Sequence, residues 1–180
     1  MTKTKLNLGC GSRPKEGWIN VDSYQHSGVF RVVDLNEIPM PWKDVAVDEI
    51  FTAHVLEHLR DPVAVLCEFH RMLKPGGRVT VIVPHAVGYM AHFPNHLTLF
   101  SRIWFWAAPD FEESPFNNDM WADQVVEMSL LHYSMSAPWP LKVFQKTWEV
   151  LFNQSFRTQI AWEMLGLFPP NEITWTATKK

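Results

Sequence analysis

The sequence predicts an α/β fold built on a parallel sheet. Two observations support this fold class. Near the N-terminus, one short apolar run ends in a pair of glycines and the next ends in an acid. Residues 48–84 then read as strand, helix and strand, which is the crossover unit that joins parallel strands.

The strands of the first half are short β-rich runs, most of which end at a glycine, an acid or a proline. Such runs with turn residues at their ends are typical of buried parallel strands. Five strands are therefore expected, at 6–8, 19–22, 30–35, 48–54 and 78–84.

The helix between the fourth and fifth strands is predicted by its end signals and its period. Asp61 can cap it, Pro62 suits its first turn, and Pro75 with the two glycines that follow should end it. Its apolar residues recur with a helical period and form one face to pack on a sheet: Val65, Leu66, Phe69, Met72 and Leu73.

The second half is predicted from length, β-rich content and periodicity. The expected elements are a helix at 101–108, a loop or lid at 109–123, a sixth strand at 124–135, helices at 141–153 and 155–166, and a seventh strand at 171–178.

The first two strand ends indicate a site for a nucleotide-like cofactor. Gly9 and Gly11 let the backbone approach a ligand without a Cβ clash. Asp22, at the next strand's tip, can accept hydrogen bonds from ribose hydroxyls. A GxG turn alone is a weak signal, and its place between two strands strengthens it.

Five segments in the first half carry a family resemblance. They are LNLGCG, INVD, VVDLNEIPMPW, VDEIFTAHVLEHL and the helix end EFHRMLKPGGRVTVIVP. In this order and spacing they resemble the class I S-adenosylmethionine (SAM)-dependent methyltransferases, and within that class they most resemble the type 11 branch.

The resemblance implies a Rossmann-like, mostly parallel seven-stranded sheet of order 3-2-1-4-5-7-6, with flanking helices in three α/β/α layers. The seventh strand would run antiparallel between the fifth and sixth. One methyltransferase domain would span 1–180, with a cofactor-binding half at 1–85 and a substrate-side half at 86–180.

The resemblance also implies cofactor contacts. Gly9 and Gly11 would border the methionine and ribose of SAM, with the Cys10 backbone close by. Asp22 would hold the ribose hydroxyls.

Asp34 would accept from the adenine amino group, and the Leu35 backbone would face the ring. Ala53 and His54, at the tip of the fourth strand, would lie nearest the sulfonium and the acceptor. For Asp34, capping of the following turn through Asn36 is the alternative.

One segment departs from the family pattern. Arg13 stands where a third glycine is common, and ten residues separate Gly11 from Asp22. A full helix does not fit in this space, so a loop at 12–17 should replace the first helix.

Histidines are the candidate bases, because imidazole titrates near neutral pH. His54, His85 and His96 all lie at or after strand ends on the substrate side, and loop histidines with satisfied hydrogen bonds are the alternative. His92 and His96 have the spacing of a metal pair, but Pro94 interrupts any helix between them. No metal is therefore expected.

Composition limits the class of protein. The net charge of −3 and pI near 6.2 offer no basic surface for nucleic acid. Cys10 and Cys67 form no CxxC pair, and neither a leader nor a membrane span is evident, which predicts a cytoplasmic protein.

Four of the nine tryptophans fall where the acceptor pocket or a homodimer contact is expected: Trp104, Trp106, Trp121 and Trp139.

The function expected from these patterns is transfer of a methyl group from SAM to an O or N nucleophile of a small acceptor, leaving S-adenosylhomocysteine (SAH). A non-catalytic SAM- or SAH-binding partner or scaffold with the same fold is the alternative. A small NAD-dependent oxidoreductase is disfavoured, because the third glycine and a Tyr-x-x-x-Lys pair are missing.

Overall fold

The computed structural model describes residues 3–106, 120–129, 150, 153 and 170–180. The predicted lid up to residue 119 lies outside these residues. So do the two helices expected between 141 and 166, apart from Val150 and Asn153.

One seven-stranded sheet organises the described residues. Its strands are β1 (Lys5–Leu8), β2 (Ile19–Asp22), β3 (Arg31–Val32), β4 (Val47–Ala53), β5 (Leu73–Pro84), β6 (Trp121–Ser129) and β7 (Glu172–Lys179). They lie in the order β3-β2-β1-β4-β5-β7-β6. The pairs from β3 to β5 are parallel, and β7 is antiparallel to both β5 and β6. The predicted order and mostly parallel direction are confirmed.

Helix α1 (Pro62–Met72) begins as predicted. The Asp61 side chain accepts a hydrogen bond from the Ala64 N–H at 2.9 Å, and Pro62 occupies the first turn. Its buried residues join one apolar core with the inward-facing residues of the strands. The 3-10 turns Leu56–His58 and Tyr89–His92 and the short helix α2 (Arg102–Trp106) complete the described helical structure.

The helix ends earlier than predicted. Leu73 is already extended, and α1 stops at Met72 rather than at Pro75 and the glycines. Proline disfavours the helical conformation of the residue before it, here Lys74. The chain therefore enters β5 before the glycines, and these lie in an irregular stretch of its pairing with β4.

Besides the early start of β5 and shifts of one residue in β1, β4 and β7, two strands differ from their predicted bounds. Strand β3 covers only Arg31 and Val32 of the predicted 30–35, both exposed at the edge of the sheet. Strand β6 begins at Trp121, so residues 121–123 are not part of a lid. The reason is packing, because Trp121 is buried edge-on against Trp175 of β7, with ring centroids 5.4 Å apart.

A loop joins β1 to β2, as the short spacing between Gly11 and Asp22 predicts. The Asn20 side chain holds the loop: its Oδ1 accepts from the Lys15 N–H at 2.8 Å and from Asn7 Nδ2 at 2.8 Å. Its Nδ2 donates to the Lys15 carbonyl at 3.0 Å. The Lys15 ammonium then lies 2.9 Å from the centre of the Phe51 ring, over the face of the sheet.

Candidate active site

A cleft of about 660 Å³ opens where the parallel strands end. Ligands of open α/β sheets bind at this edge, near the point where strand order reverses. Here β1 lies between β2 and β4, which marks that point. Among the residues that line the cleft are six of the predicted cofactor residues: Gly9, Gly11, Asp22, Asp34, Leu35 and His54.

The two glycines differ in what a side chain would meet. Both have positive φ, +66° at Gly9 and +48° at Gly11. A Cβ at Gly9 would lie 2.2 Å from Val55 Cγ2, whereas a Cβ at Gly11 would meet nothing within 4 Å. Gly9 is thus required for close packing, and Gly11 leaves open space for a ligand.

The Asp22 carboxylate is held by backbone N–H groups. It accepts from Gly11 at 2.8 Å and Ser23 at 2.8 Å, and His26 Nε2 lies 3.6 Å away. Burial acts to raise the pKa of Asp22, but the hydrogen bonds from Gly11, Tyr24 and Ser23 outweigh it and lower the pKa below its ordinary value. Asp22 is therefore a fixed anion at neutral pH.

Asp34 lies beyond β3 on an exposed turn. Its Oδ1 accepts from the Asn36 backbone N–H at 2.9 Å and from the Asn36 side chain at 3.0 Å. These bonds lower the pKa of Asp34. The turn-capping role is thus present, and since both bonds use one oxygen, the second carboxylate oxygen can still accept from a ligand.

His54 sits at the tip of β4 with the left-handed φ of +57°. Its Nε2 lies 2.9 Å from Glu172 Oε1, and its Nδ1 lies 3.5 Å from Glu57 Oε1. The hydrogen bond to Glu172 and, secondly, the nearby Glu57 carboxylate raise the pKa of His54 to about 9, despite its partial burial. The ring is thus an imidazolium at neutral pH and can donate hydrogen bonds.

A second cavity of about 260 Å³ adjoins the cleft, and both are lined by Gly9 and His54. It contains the remaining two predicted cofactor residues, Cys10 and Ala53. Burial, and secondly the nearby Asp22 charge, raise the pKa of the Cys10 thiol. The rest of the lining combines aromatic, cationic and acidic groups, among them Phe51, Arg13, Lys15 and Glu172.

The other two candidate bases lie outside both linings. His85 is 1% exposed, and its Nδ1 accepts from the Val87 N–H at 3.2 Å. His96 packs against His58, with ring centroids 4.7 Å apart, and against Phe93. Neither residue lines the cleft or the second cavity.

Glu172 is the site residue that sequence patterns missed. It is 118 residues from His54 along the chain. Because β7 is antiparallel, its first residue lies at the edge where the parallel strands end. An acid at the start of the predicted seventh strand was the one available clue.

Within the described residues, no helix is long and apolar enough to cross a membrane.

Known proteins resemble this chain in sequence over part of its length. Residues 16–81 match the family model described as a methyltransferase domain. The chain is 28% identical over 79 residues to a tRNA U34 carboxymethyltransferase of Hydrogenovibrio crunogenus, covering 42% of this chain and 24% of that protein. It is 46% identical over 50 residues to an uncharacterized methyltransferase of Schizosaccharomyces pombe, covering 28% of this chain and 17% of that protein. The matches thus span less than a quarter of either relative.

Solved structures resemble it over nearly the whole chain. A SAM-dependent methyltransferase from Archaeoglobus fulgidus superposes with a TM-score of 0.62 at 17% identity, covering 98% of this chain and 86% of that one. A phosphoethanolamine N-methyltransferase of Haemonchus contortus, solved with SAH, has a TM-score of 0.61 at 15% identity, covering 99% and 49%. Residues 16–81 are thus similar to a methyltransferase domain, and the sheet has the fold seen in the class I SAM-dependent methyltransferases.

Proposed function

We propose that this chain binds SAM and transfers its methyl group to an O or N nucleophile of a small acceptor. The observation that carries the proposal is the grouping of the predicted cofactor residues. All eight line the cleft or the cavity beside it, although they come from four different strand ends. A cleft of about 660 Å³ is within the range of small-molecule sites, about 300–1,000 Å³.

The adenosine part of SAM belongs in the larger cleft. Asp22 would accept from the ribose hydroxyls, and the free oxygen of Asp34 would accept from the adenine amino group. The Gly11 side of the cleft is open, so the backbone can approach the ligand there. When bound, SAM would supply an electrophilic methyl group on a sulfonium, and the residues of the two cavities would hold and orient it.

The acceptor belongs in the smaller cavity. Gly9 and His54 line both cavities, so donor and acceptor would meet at this boundary. Methyl transfer is an in-line displacement, and most of its acceleration comes from holding the two reactants at close distance. His54 and Glu172, joined by a 2.9 Å contact, form the polar wall that would orient the acceptor. A cavity of about 260 Å³ fits a small molecule better than a polymer.

Calorimetric titration with SAH tests the cofactor part. The wild type should bind, and Asp22→Asn should weaken binding about 10- to 150-fold, because hydrogen bonds to a charged group contribute about 1.5–3 kcal/mol. Asp61→Asn is the matched control, since asparagine keeps the helix cap and Asp61 lines neither cavity.

A wild type that binds no SAH, or an Asp22→Asn variant that binds equally well, would contradict the placement of the cofactor. Transfer of a labelled methyl group from SAM to a panel of small hydroxyl and amine compounds tests the reaction. Binding of SAH without transfer to any acceptor, together with a stable protein partner, would instead favour a non-catalytic SAH-binding role.

A further inference from the structure

Three potential metal ligands come together beside the cofactor cleft. Glu57, His58 and His96 each offer a ligand atom, and all three atoms lie within 4.8 Å of one another. Sequence spacing pairs His96 with His92, but the fold pairs it with the turn at 56–58 instead. The fold thereby brings the Glu57 carboxylate next to the imidazoles of His58 and His96. The sequence around His92 offers no such carboxylate.

The Glu57 carboxylate is buried without a hydrogen bond. Its side chain is 0% exposed, and among the described residues neither carboxylate oxygen has a hydrogen-bond partner. The nearest cation is His54, whose Nδ1 lies 3.5 Å from Oε1. Burying a carboxylate is costly unless it is paired and hydrogen-bonded or binds a metal. Since a carboxylate has about four acceptor positions, the contact with His54 leaves room for an ion.

The two imidazoles are arranged as metal-binding histidines are. Nδ1 of His96 is buried and, within the described part of the chain, has no hydrogen-bond partner. Nδ1 of His58 lies 3.1 Å from the Asn95 carbonyl oxygen. A histidine that donates one ring N–H to a backbone carbonyl presents its other nitrogen as a ligand with a fixed orientation. The two rings meet edge to face, with an angle of 79° between their planes. They are therefore not stacked face to face, an arrangement that would leave no room for an ion between them.

Backbone hydrogen bonds hold the cluster together without a ligand. The Leu97 N–H donates to the Glu57 carbonyl at 2.7 Å, and the His96 N–H donates to the Phe93 carbonyl at 3.0 Å. The turn at 56–58 and the segment at 93–98 are therefore already adjacent. Binding of an ion would need only small side-chain movements.

We propose that Glu57, His58 and His96 form a binding site for a divalent transition-metal ion, with Zn²⁺ the best match. One carboxylate and two imidazoles are a common zinc ligand set that leaves a fourth position open. Mg²⁺ and Ca²⁺ fit poorly, because they prefer oxygen ligands. His58 and Asn95 also line the cofactor cleft. The ion would therefore fasten the 93–98 segment to the rim of the cleft.

A second cluster of this kind among the described residues, formed by Cys10, Asp22 and His26, has a different use. Both Asp22 oxygens accept backbone N–H groups, and the proposed ribose contact needs the same carboxylate. His26 therefore provides a control for zinc binding elsewhere in the cleft.

Titration of Zn²⁺ into the chelator-treated full chain, followed by metal analysis after desalting, tests the site in the absence of SAM. The wild type should bind one equivalent. Loss of an outer-shell partner alone costs about 10- to 100-fold in metal affinity, so His58→Gln and His96→Gln should each lose at least about 100-fold. His92→Gln and His26→Gln should bind as the wild type does, since His92 is exposed and not part of the cluster.

Thermal melts provide a second readout and a check on folding. Zn²⁺ should raise the melting temperature of the wild type and of His92→Gln, and should not raise that of His58→Gln or His96→Gln. Both of these side chains are partly exposed, so the two variants carry the test even if Glu57→Gln does not fold. The proposal is overturned if the wild type binds no zinc, if both variants retain it, or if only His26→Gln loses it. SAH binding by the metal-free chain does not bear on the outcome.

Discussion

Alanine at Gly9 should destabilise the protein far more than alanine at Gly11, although the two glycines flank one residue and share a backbone conformation. Both lie at positive φ, where a residue with a Cβ costs about 1–2 kcal/mol. This cost is common to the two variants. The difference between them must therefore come from the space around each Cβ.

At Gly9 the new Cβ would lie 2.2 Å from Val55 Cγ2 and 3.1 Å from Val55 Cγ1. Carbon atoms in normal contact are about 3.5–4.0 Å apart. Val55 Cγ2 and the new Cβ must therefore move apart by about 1.3 Å, through a shift of the Val55 side chain or of the strand end. Overpacking of this kind costs about 1–3 kcal/mol. We expect Gly9→Ala to lower the free energy of unfolding by about 2–5 kcal/mol. At Gly11 no atom lies within 4 Å, and Gly11→Ala should cost only about 1–2 kcal/mol.

Urea unfolding of four proteins measures this difference: the two alanine variants, Val55→Ala, and Gly9→Ala combined with Val55→Ala. Removing the Val55 methyl groups should bring the cost of Gly9→Ala close to that of Gly11→Ala, with an unchanged dependence on urea; the remaining contact is with Val55 Cβ at 3.2 Å. The clash would be refuted if the two glycines cost the same, or if Val55→Ala gave no relief. Gly11→Ala should still weaken SAH binding, because its methyl group points into the open space of the cleft.

Two further changes follow from the charged contacts. Glu68 is 7% exposed and accepts from Arg71 at 2.8 and 2.7 Å and from the Met40 N–H at 2.8 Å; the Arg71 hydrogen bonds lower the pKa of Glu68. Its stabilisation is thus present above the ordinary glutamate pKa of about 4.5 and lost as pH falls through the lower folded value. Glu68→Gln should lower the free energy of unfolding by about 1.5–3 kcal/mol at neutral pH, and the urea midpoint of this variant should fall less steeply as the pH is lowered. Glu49 forms an ion pair whose side chains are about one-third exposed, so the control Glu49→Gln should lower it by under about 1 kcal/mol. In the active site, Glu172→Gln should lower kcat about 100-fold, because misplacing a reactant by about 1 Å can cost this much, and should leave SAH affinity unchanged. Glu127→Gln on neighbouring β6 should change neither kcat nor SAH affinity, and equal losses of kcat in both variants would remove Glu172 from the mechanism.

The strands and the helix of the first half could be predicted because residues adjacent in sequence determine where they begin and end. Strand β2 has the predicted bounds, since its apolar run and terminal acid are adjacent in sequence. The predicted end of α1 was wrong by a few residues, because Pro75 disfavours the helical conformation of Lys74 before it, and the helix ends at Met72. The edge strand β3 was overestimated, since pairing on one side only does not sustain the whole β-rich run.

The residues that could not be predicted are brought together by distant parts of the chain. Glu172 reaches His54 only because β7 inserts antiparallel between β5 and β6. His96 meets Glu57 and His58 only because the 93–98 segment bonds back to the turn after β4. In both cases the residue types were visible, but helical or strand spacing could not indicate which partners they would meet.

The loop between β1 and β2 links these observations to the chemistry of the site. In folds of this class, the helix after β1 places its positive N-terminal end near the ligand, and this chain has only turns there. The loop instead brings Arg13 and Lys15 into the lining of the smaller cavity, and Asn20 fixes the Lys15 backbone from both sides. Burial lowers the pKa of Lys15, and the Glu49 charge opposes this. A helix would direct its dipole at the cofactor, whereas the loop places cationic side chains beside the proposed acceptor. The loop therefore contributes to the lining of the cavity beside Gly9 in which the acceptor is proposed to bind.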